Sequence, residues 1–103
     1  MAVVEVTKDN FEKEVLRSEI PVLADFNAGW CGPCKSMRPL LDELAENNPN
    51  YKIVSIDIEE EDELVEEYEV ASIPCLVVFK NGKETNRNIG LIPKDSIAAL
   101  MEV

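Results

Sequence analysis

The sequence predicts an α/β domain in which a mixed β-sheet carries helices on both faces. Three observations lead there. Apolar runs of strand length alternate with stretches whose apolar residues recur every three or four positions. The run 22–26 is almost continuously apolar, as in a strand buried on both faces. Asn81-Gly82, set between two strand-like runs, is a two-residue hairpin signal that makes the last two strands antiparallel. A chain of 103 residues fits a single domain, so 1–103 is expected to fold as one unit.

The elements follow in the order βαβαβαββα. Residues 2–6 contain Val3, Val4 and Val6, which suit a first strand. Asp9, with Glu12 three positions on, matches a capping box and starts a helix to about Arg17, with Phe11, Val15 and Leu16 on one face. Pro21 closes the connection. Val22, Leu23, Ala24 and Phe26 then form the second strand, interrupted by Asp25. The next helix carries Met37, Leu40, Leu41, Leu44 and Ala45 as one apolar stripe. Pro39 inside it should remove a hydrogen bond and kink it, and Asn47-Asn48-Pro49-Asn50 stops it. Residues 51–58 alternate as a third strand, and 59–69 form a short acidic helix packing through Leu64, Val65 and Tyr68. Residues 75–80 and a run through Ile89 are the fourth and fifth strands. Pro93 opens a last helix with Ile97, Leu100 and Met101 inside.

Composition narrows the function. The net charge of −11 repels nucleic acid and anionic membrane surfaces. Nine acids and no base lie from Asp57 to Glu69, which reads as a solvated helix face. Three cysteines and no histidine do not make a disulfide-stapled secreted scaffold. No basic segment followed by a long apolar one opens the chain, so no signal peptide is expected. No apolar run approaches the roughly 18 residues of a membrane span. The expected compartment is the cytoplasm, where thiols are kept reduced and a cysteine pair is more often catalytic than structural.

Cys31 and Cys34, separated by Gly32 and Pro33, sit between the second strand and the long helix. A Cys-x-x-Cys in that context reads as a dithiol redox centre. With the helix starting near Cys31, unpaired N–H groups and the positive end of the helix dipole favour its thiolate. Pro33 suits the first turn, because its missing N–H is not needed there. Cys34, three residues on, lies on the same side of that turn, within disulfide reach. Cys31 is therefore the expected exposed nucleophile and Cys34 the sheltered resolving thiol. Asp25, a carboxyl in an apolar strand, is expected to have a raised pKa.

Trp30-Cys31-Gly32-Pro33-Cys34-Lys35, after an apolar strand carrying Asp25, resembles the thioredoxin family. The resemblance continues through Ser72-Ile73-Pro74, the strand Leu76 to Lys80, Asn81-Gly82 and Gly90, and so covers nearly the whole chain. It implies the thioredoxin fold: five strands in the order 1-3-2-4-5, with four helices on both faces. It also implies a reversible Cys31–Cys34 couple that reduces protein disulfides, with no bound cofactor or metal. Partners would be a thioredoxin reductase as electron source and oxidised cytoplasmic target proteins, met by a monomer serving electron transport and redox homeostasis. Asp25 matches the family acid that assists proton transfer at the resolving cysteine. Trp30 matches the residue shaping the docking surface. Pro74 matches the family's cis-proline facing the dithiol, which leaves the Ile73 main chain to pair with an extended substrate. Gly90 matches a glycine that keeps this surface flat, and Gly32, Pro33, Ile58 and Leu91 complete an apolar patch around Cys31. Gly-Pro between the cysteines resembles the strongly reducing members, for which about −270 mV is the family's known value and not one derived from this sequence.

The chain departs from the family pattern at three places. Asn27 stands where a second Trp is usual, and Ser55 where many members carry a Lys near the buried acid. Losing the Lys should raise the pKa of Asp25, and water admitted by Asn27 should lower it. Cys75 stands where Thr is usual, as a small buried hydrophobe or as a third thiol near the dithiol. Rival functions are a disulfide oxidase or isomerase, a binding module of the same fold that is a subunit of a larger assembly, and a metal site using Cys31, Cys34 and Cys75. One Cys-x-x-Cys supplies two of the four ligands that structural zinc requires.

Overall fold

Five strands form one sheet in the order β1-β3-β2-β4-β5. They are β1 Val4–Glu5, β2 Val22–Asn27, β3 Lys52–Asp57, β4 Cys75–Lys80 and β5 Lys83–Ile89. The helices are α1 Lys8–Phe11, continued by a π turn at Glu12–Leu16, α2 Gly32–Asn47, α3 Asp62–Glu67 and α4 Lys94–Leu100. The computed structural model describes residues 2–102; Met1 and Val103, the ends of the expected 1–103 domain, lie outside them. The strand order implied by the resemblance is the order observed.

β2 runs parallel to β3 and antiparallel to β4, so Asp25 is flanked by Ser55 on one side and Leu76 on the other. Alternate side chains of the strands enter two separate cores. Val22, Ala24, Phe26, Val77 and Phe79 face α1 and α3, meeting Phe11, Val15, Leu64 and Tyr68. Leu23, Ile53, Leu76 and Val78 face α2 and α4, meeting Met37, Leu41, Leu44, Ile97 and Met101. In the first core Phe11, Tyr68 and Phe79 close a ring cluster with centroids 5.3 to 5.9 Å apart.

The first helix differs from its expected form. Its N-cap is Thr7 and not Asp9: the Thr7 hydroxyl accepts from Asp9 N–H at 3.2 Å, and Asn10 Oδ1 accepts from Thr7 N–H at 2.7 Å. Thr7/Asn10 satisfies two orphan donors reciprocally, and Asp9 gains instead from a first-turn position beside the helix dipole. After one α turn the chain widens, with Arg17 N–H reaching back five residues to the Glu12 carbonyl at 2.8 Å. Strand β1 is shorter than the 2–6 expected. Along α2 the helix continues through Pro39, which is exposed; the carbonyl it cannot engage belongs to exposed Lys35, where water can serve.

At the far edge, Asn81 (φ 54°) and Gly82 (φ 78°) make the expected tight hairpin turn. The β4–β5 register slips once, between Val78 and Phe79. Arg87 on β5 donates to the Tyr68 carbonyl at 2.7 Å and pairs with Glu84 at 2.8 Å, tying the edge strand to the end of α3.

Gly82 is the glycine with least freedom to change. Its φ is positive, and a Cβ there would come within 3.0 Å of the Leu16 carbonyl oxygen. Gly82→Ala is expected to cost about 1–3 kcal/mol in urea unfolding, whereas Gly29→Ala, which meets nothing within 4 Å, should stay within about 0.5 kcal/mol.

Candidate active site

The turn after β2 brings the chain back over the sheet and into α2 with Cys31 as the N-cap residue. Its backbone is extended (φ −87°, ψ 112°), and Gly32 and Pro33 occupy the first helical positions. Pro33 thus lies where no N–H is required, as expected. Cys31 and Cys34 are joined as a disulfide with their Cα atoms 5.2 Å apart. Cys34 N–H donates to Cys31 Sγ at 3.2 Å, so the sulfur takes the place of an N-cap oxygen.

Burial corrects one expectation. In the disulfide form Cys31 is not more exposed than Cys34; each retains 5% of its surface. Cys31, Cys34 and Ala28 pack against half-buried Ile58 and Ile73, which cover the sulfur pair. The exposed residue beside them is Trp30, at 66%. The Ile73–Pro74 bond is cis. The Pro74 carbonyl accepts from Gly90 N–H at 2.8 Å, with Gly90 at φ 103°. Ile73 makes no backbone hydrogen bond among the described residues. Gly32 and Pro33 are exposed on the first turn. Leu91 is half exposed and lines an apolar groove with Ser36, Leu40, Ile92 and Pro93.

Asp25 lies behind the disulfide, 2% exposed. A cavity of about 150 Å³ is lined by Asp25, Asn27, Ala28, Gly29, Cys34, Lys35 and Arg38. The carboxyl and the second cysteine therefore share one space. Asp25 Oδ1 has no hydrogen-bond partner among the described residues, while Asn27 Nδ2 lies 3.3 Å from Oδ2 and 2.8 Å from Ser55 Oγ. The two departures from the family pattern thus meet at the acid. Burial pushes the Asp25 pKa up to about 7; the Arg38 charge opposes this, Glu5 adds to it, and the Asn27 hydrogen bond opposes it. The net direction is upward. A cation near the acid is present after all, on α2 and not on β3. Sequence reasoning missed Arg38; its one signal is a place four residues after Cys34, on the same helix face.

Cys75 is a buried free thiol at the start of β4, and its burial pushes its pKa up, which suits the hydrophobe reading. Among the described residues no group of three or more His, Cys, Asp or Glu side chains could hold a metal ion. No described helix is long and apolar enough to cross a membrane.

The raised Asp25 pKa has a consequence for stability. Between pH 4 and 7 the unfolded carboxyl ionises while the folded one stays protonated, so ionisation favours the unfolded chain. Stability should fall as pH rises through this window and level off above the folded value. Asp25→Asn removes that loss. It should be the more stable protein at pH 8, by up to about 4 kcal/mol, with the gap closing toward pH 4 in urea unfolding.

Comparison with known proteins agrees with this geometry. The family model named Thioredoxin matches residues 2–103. A thioredoxin of Rickettsia felis is 44% identical over 93 residues, 89% of each chain. Thioredoxin 1 of a Nostoc species is 37% identical over 102 residues, 98% of this chain and 95% of the relative. The solved structure of a single-site mutant of thioredoxin from Halobacterium salinarum superposes with a TM-score of 0.91 at 31% identity, covering 98% of this chain and 88% of that one. With its sheet order and its Cys31–Cys34 pair, the chain belongs to the thioredoxin family and is a thiol–disulfide oxidoreductase.

Proposed function

We propose that the protein works as a protein-disulfide reductase, in which Cys31 attacks and Cys34 resolves. The observation that carries this reading is Cys31 Sγ at the N-cap of α2, accepting the Cys34 N–H. In the reduced protein the same donor and the helix dipole favour a Cys31 thiolate over the thiol, whose ordinary pKa is about 8.5. The thiolate attacks one sulfur of a target disulfide. A Cys31–target bond forms, the target's S–S bond breaks, and the departing sulfur takes a proton. Cys34 then gives its proton to Asp25, across the cavity they share, and attacks Cys31 Sγ. The Cys31–Cys34 bond forms, the Cys31–target bond breaks and the departing sulfur takes a proton, so the target leaves with two thiols and two electrons gained. Asp25 suits this step because a base with a pKa near 7 both accepts and returns a proton at neutral pH.

Trp30, Gly32, Pro33, Ile73, Pro74 and Gly90 form the face that meets the target. Support comes from exposed Trp30 and from the Ile73 main chain, whose groups remain free to pair with an extended segment. The protein acts as a cytoplasmic monomer of one domain, 1–103, and as an electron carrier. It needs no cofactor, because the disulfide itself stores the electrons, and it is recharged by a thioredoxin reductase. The acidic surface keeps nucleic acid away.

Equilibration in dithiol redox buffers, followed by Trp30 fluorescence and thiol alkylation, tests the direction. A potential near −270 mV is expected, and one near −180 mV or higher would assign the protein to the oxidases and isomerases. Cys34→Ser should accumulate a mixed disulfide with an oxidised target, whereas Cys31→Ser should form none and lose activity. Mixed disulfide formation by Cys31→Ser would reverse the two roles.

A further inference from the structure

Charged groups approach Asp25 from several elements. Glu5 comes from β1, and Lys35 and Arg38 line the cavity from α2. The Cys75 thiol begins β4, which pairs with β2, while Ser55, beside Asp25 on β3, is uncharged. Arg38 stands out because it is held in place. Its Nε donates to Asp42 Oδ1 at 3.0 Å, and its Nη2 to Glu5 Oε2 at 3.4 Å. It follows Cys34 by one helical turn and forms part of the wall of the same cavity.

We propose that Arg38 is a positioning residue for the exchange reaction: anchored by Glu5 and Asp42, it supplies from α2 the cationic neighbour of the buried Asp25 carboxyl that Ser55 does not supply from β3. The inference rests on reading Asp25 as the proton acceptor for Cys34. An arginine suits the task, since it is charged at every working pH and its fork engages two acids while its charge still reaches a third. Asp25 Oδ1 is buried without a hydrogen-bond partner among the described residues, and the Arg38 charge does more than the Asn27 contact on Oδ2 to favour the carboxylate. Arg38 keeps a share of Asp25 ionised, and able to accept a proton, near neutral pH. Glu5 acts in the opposite sense, so one ion-pair cluster holds a residue that favours the carboxylate and a residue that disfavours it.

The test is a carbon-13 carboxyl NMR titration of Asp25 in the disulfide form, where neither active-site thiol titrates, for wild type, Arg38→Met, Arg38→Lys and Glu5→Gln. Arg38→Met should move the midpoint upward by about half a pH unit, Arg38→Lys should leave it near wild type, and Glu5→Gln should move it downward. A merely structural role would not separate Met from Lys, nor give Arg38 and Glu5 opposite signs. The pH profile of target release from the mixed disulfide should shift to higher pH in Arg38→Met by the same amount. An unmoved midpoint in Arg38→Met, or the same sign in Glu5→Gln, overturns the role of Arg38 and leaves that of Asp25 standing. A midpoint that moves as expected with an unmoved release profile overturns the proton-transfer reading of Asp25, and the role of Arg38 in the exchange with it.

Discussion

β2 lies between β3 and β4 with helices over both faces, so Val22, Leu23, Ala24, Asp25 and Phe26 are each no more than 2% exposed. A strand buried to that extent must have its backbone groups paired, and parallel β3 and antiparallel β4 do so. The rest of the molecule is arranged by this requirement. It draws α1 and α3 to one face and α2 and α4 to the other. It fixes the point where the chain leaves the sheet, and hence where α2 begins. It also holds a carboxyl almost wholly out of contact with bulk solvent, at the wall of the cavity it shares with Cys34.

Burial alone would treat the two kinds of acid in the site alike, disfavouring the anion of each. Hydrogen-bond donors distinguish them. Cys31, though only 5% exposed, receives an N–H from the first turn of a 16-residue helix. Asp25 has Asn27 beside Oδ2 and, among the described residues, no hydrogen-bond donor on Oδ1. The Cys31 sulfur thereby has a donor placed to stabilise negative charge on it, and the buried carboxyl holds its proton to about neutral pH.

Much of this was legible in the residues. The near-continuous apolar run of β2, the Asn81-Gly82 turn and the Cys-x-x-Cys at a helix start are local patterns, and the structure contains a buried strand, a tight hairpin and a disulfide at those places. The strand order came through resemblance, because local periodicity does not say which strands are neighbours. Other features lay beyond a linear reading. Thr7/Asn10 and Asp9/Glu12 both offer a capping pair, and the structure uses the first. The π turn after Phe11 has no composition signal. The burial of Cys31 depends on Ile58 and Ile73, which are distant in sequence. Arg38 looks like an ordinary surface residue of an amphipathic helix until the fold brings it to the cavity wall beside Asp25.

The ends of the sheet have a consequence for behaviour at high concentration. An unpaired strand edge is a template on which other chains can stack, and long, flat, apolar edges seed fibrils. Here one edge, β1, is two residues long. The other, β5, runs Lys-Glu-Thr-Asn-Arg-Asn-Ile, bends at the Val78/Phe79 slip, and is strapped to α3 by Arg87. Neither border offers a second molecule a smooth apolar ladder, so lateral growth into cross-β aggregates is disfavoured at both ends of the sheet.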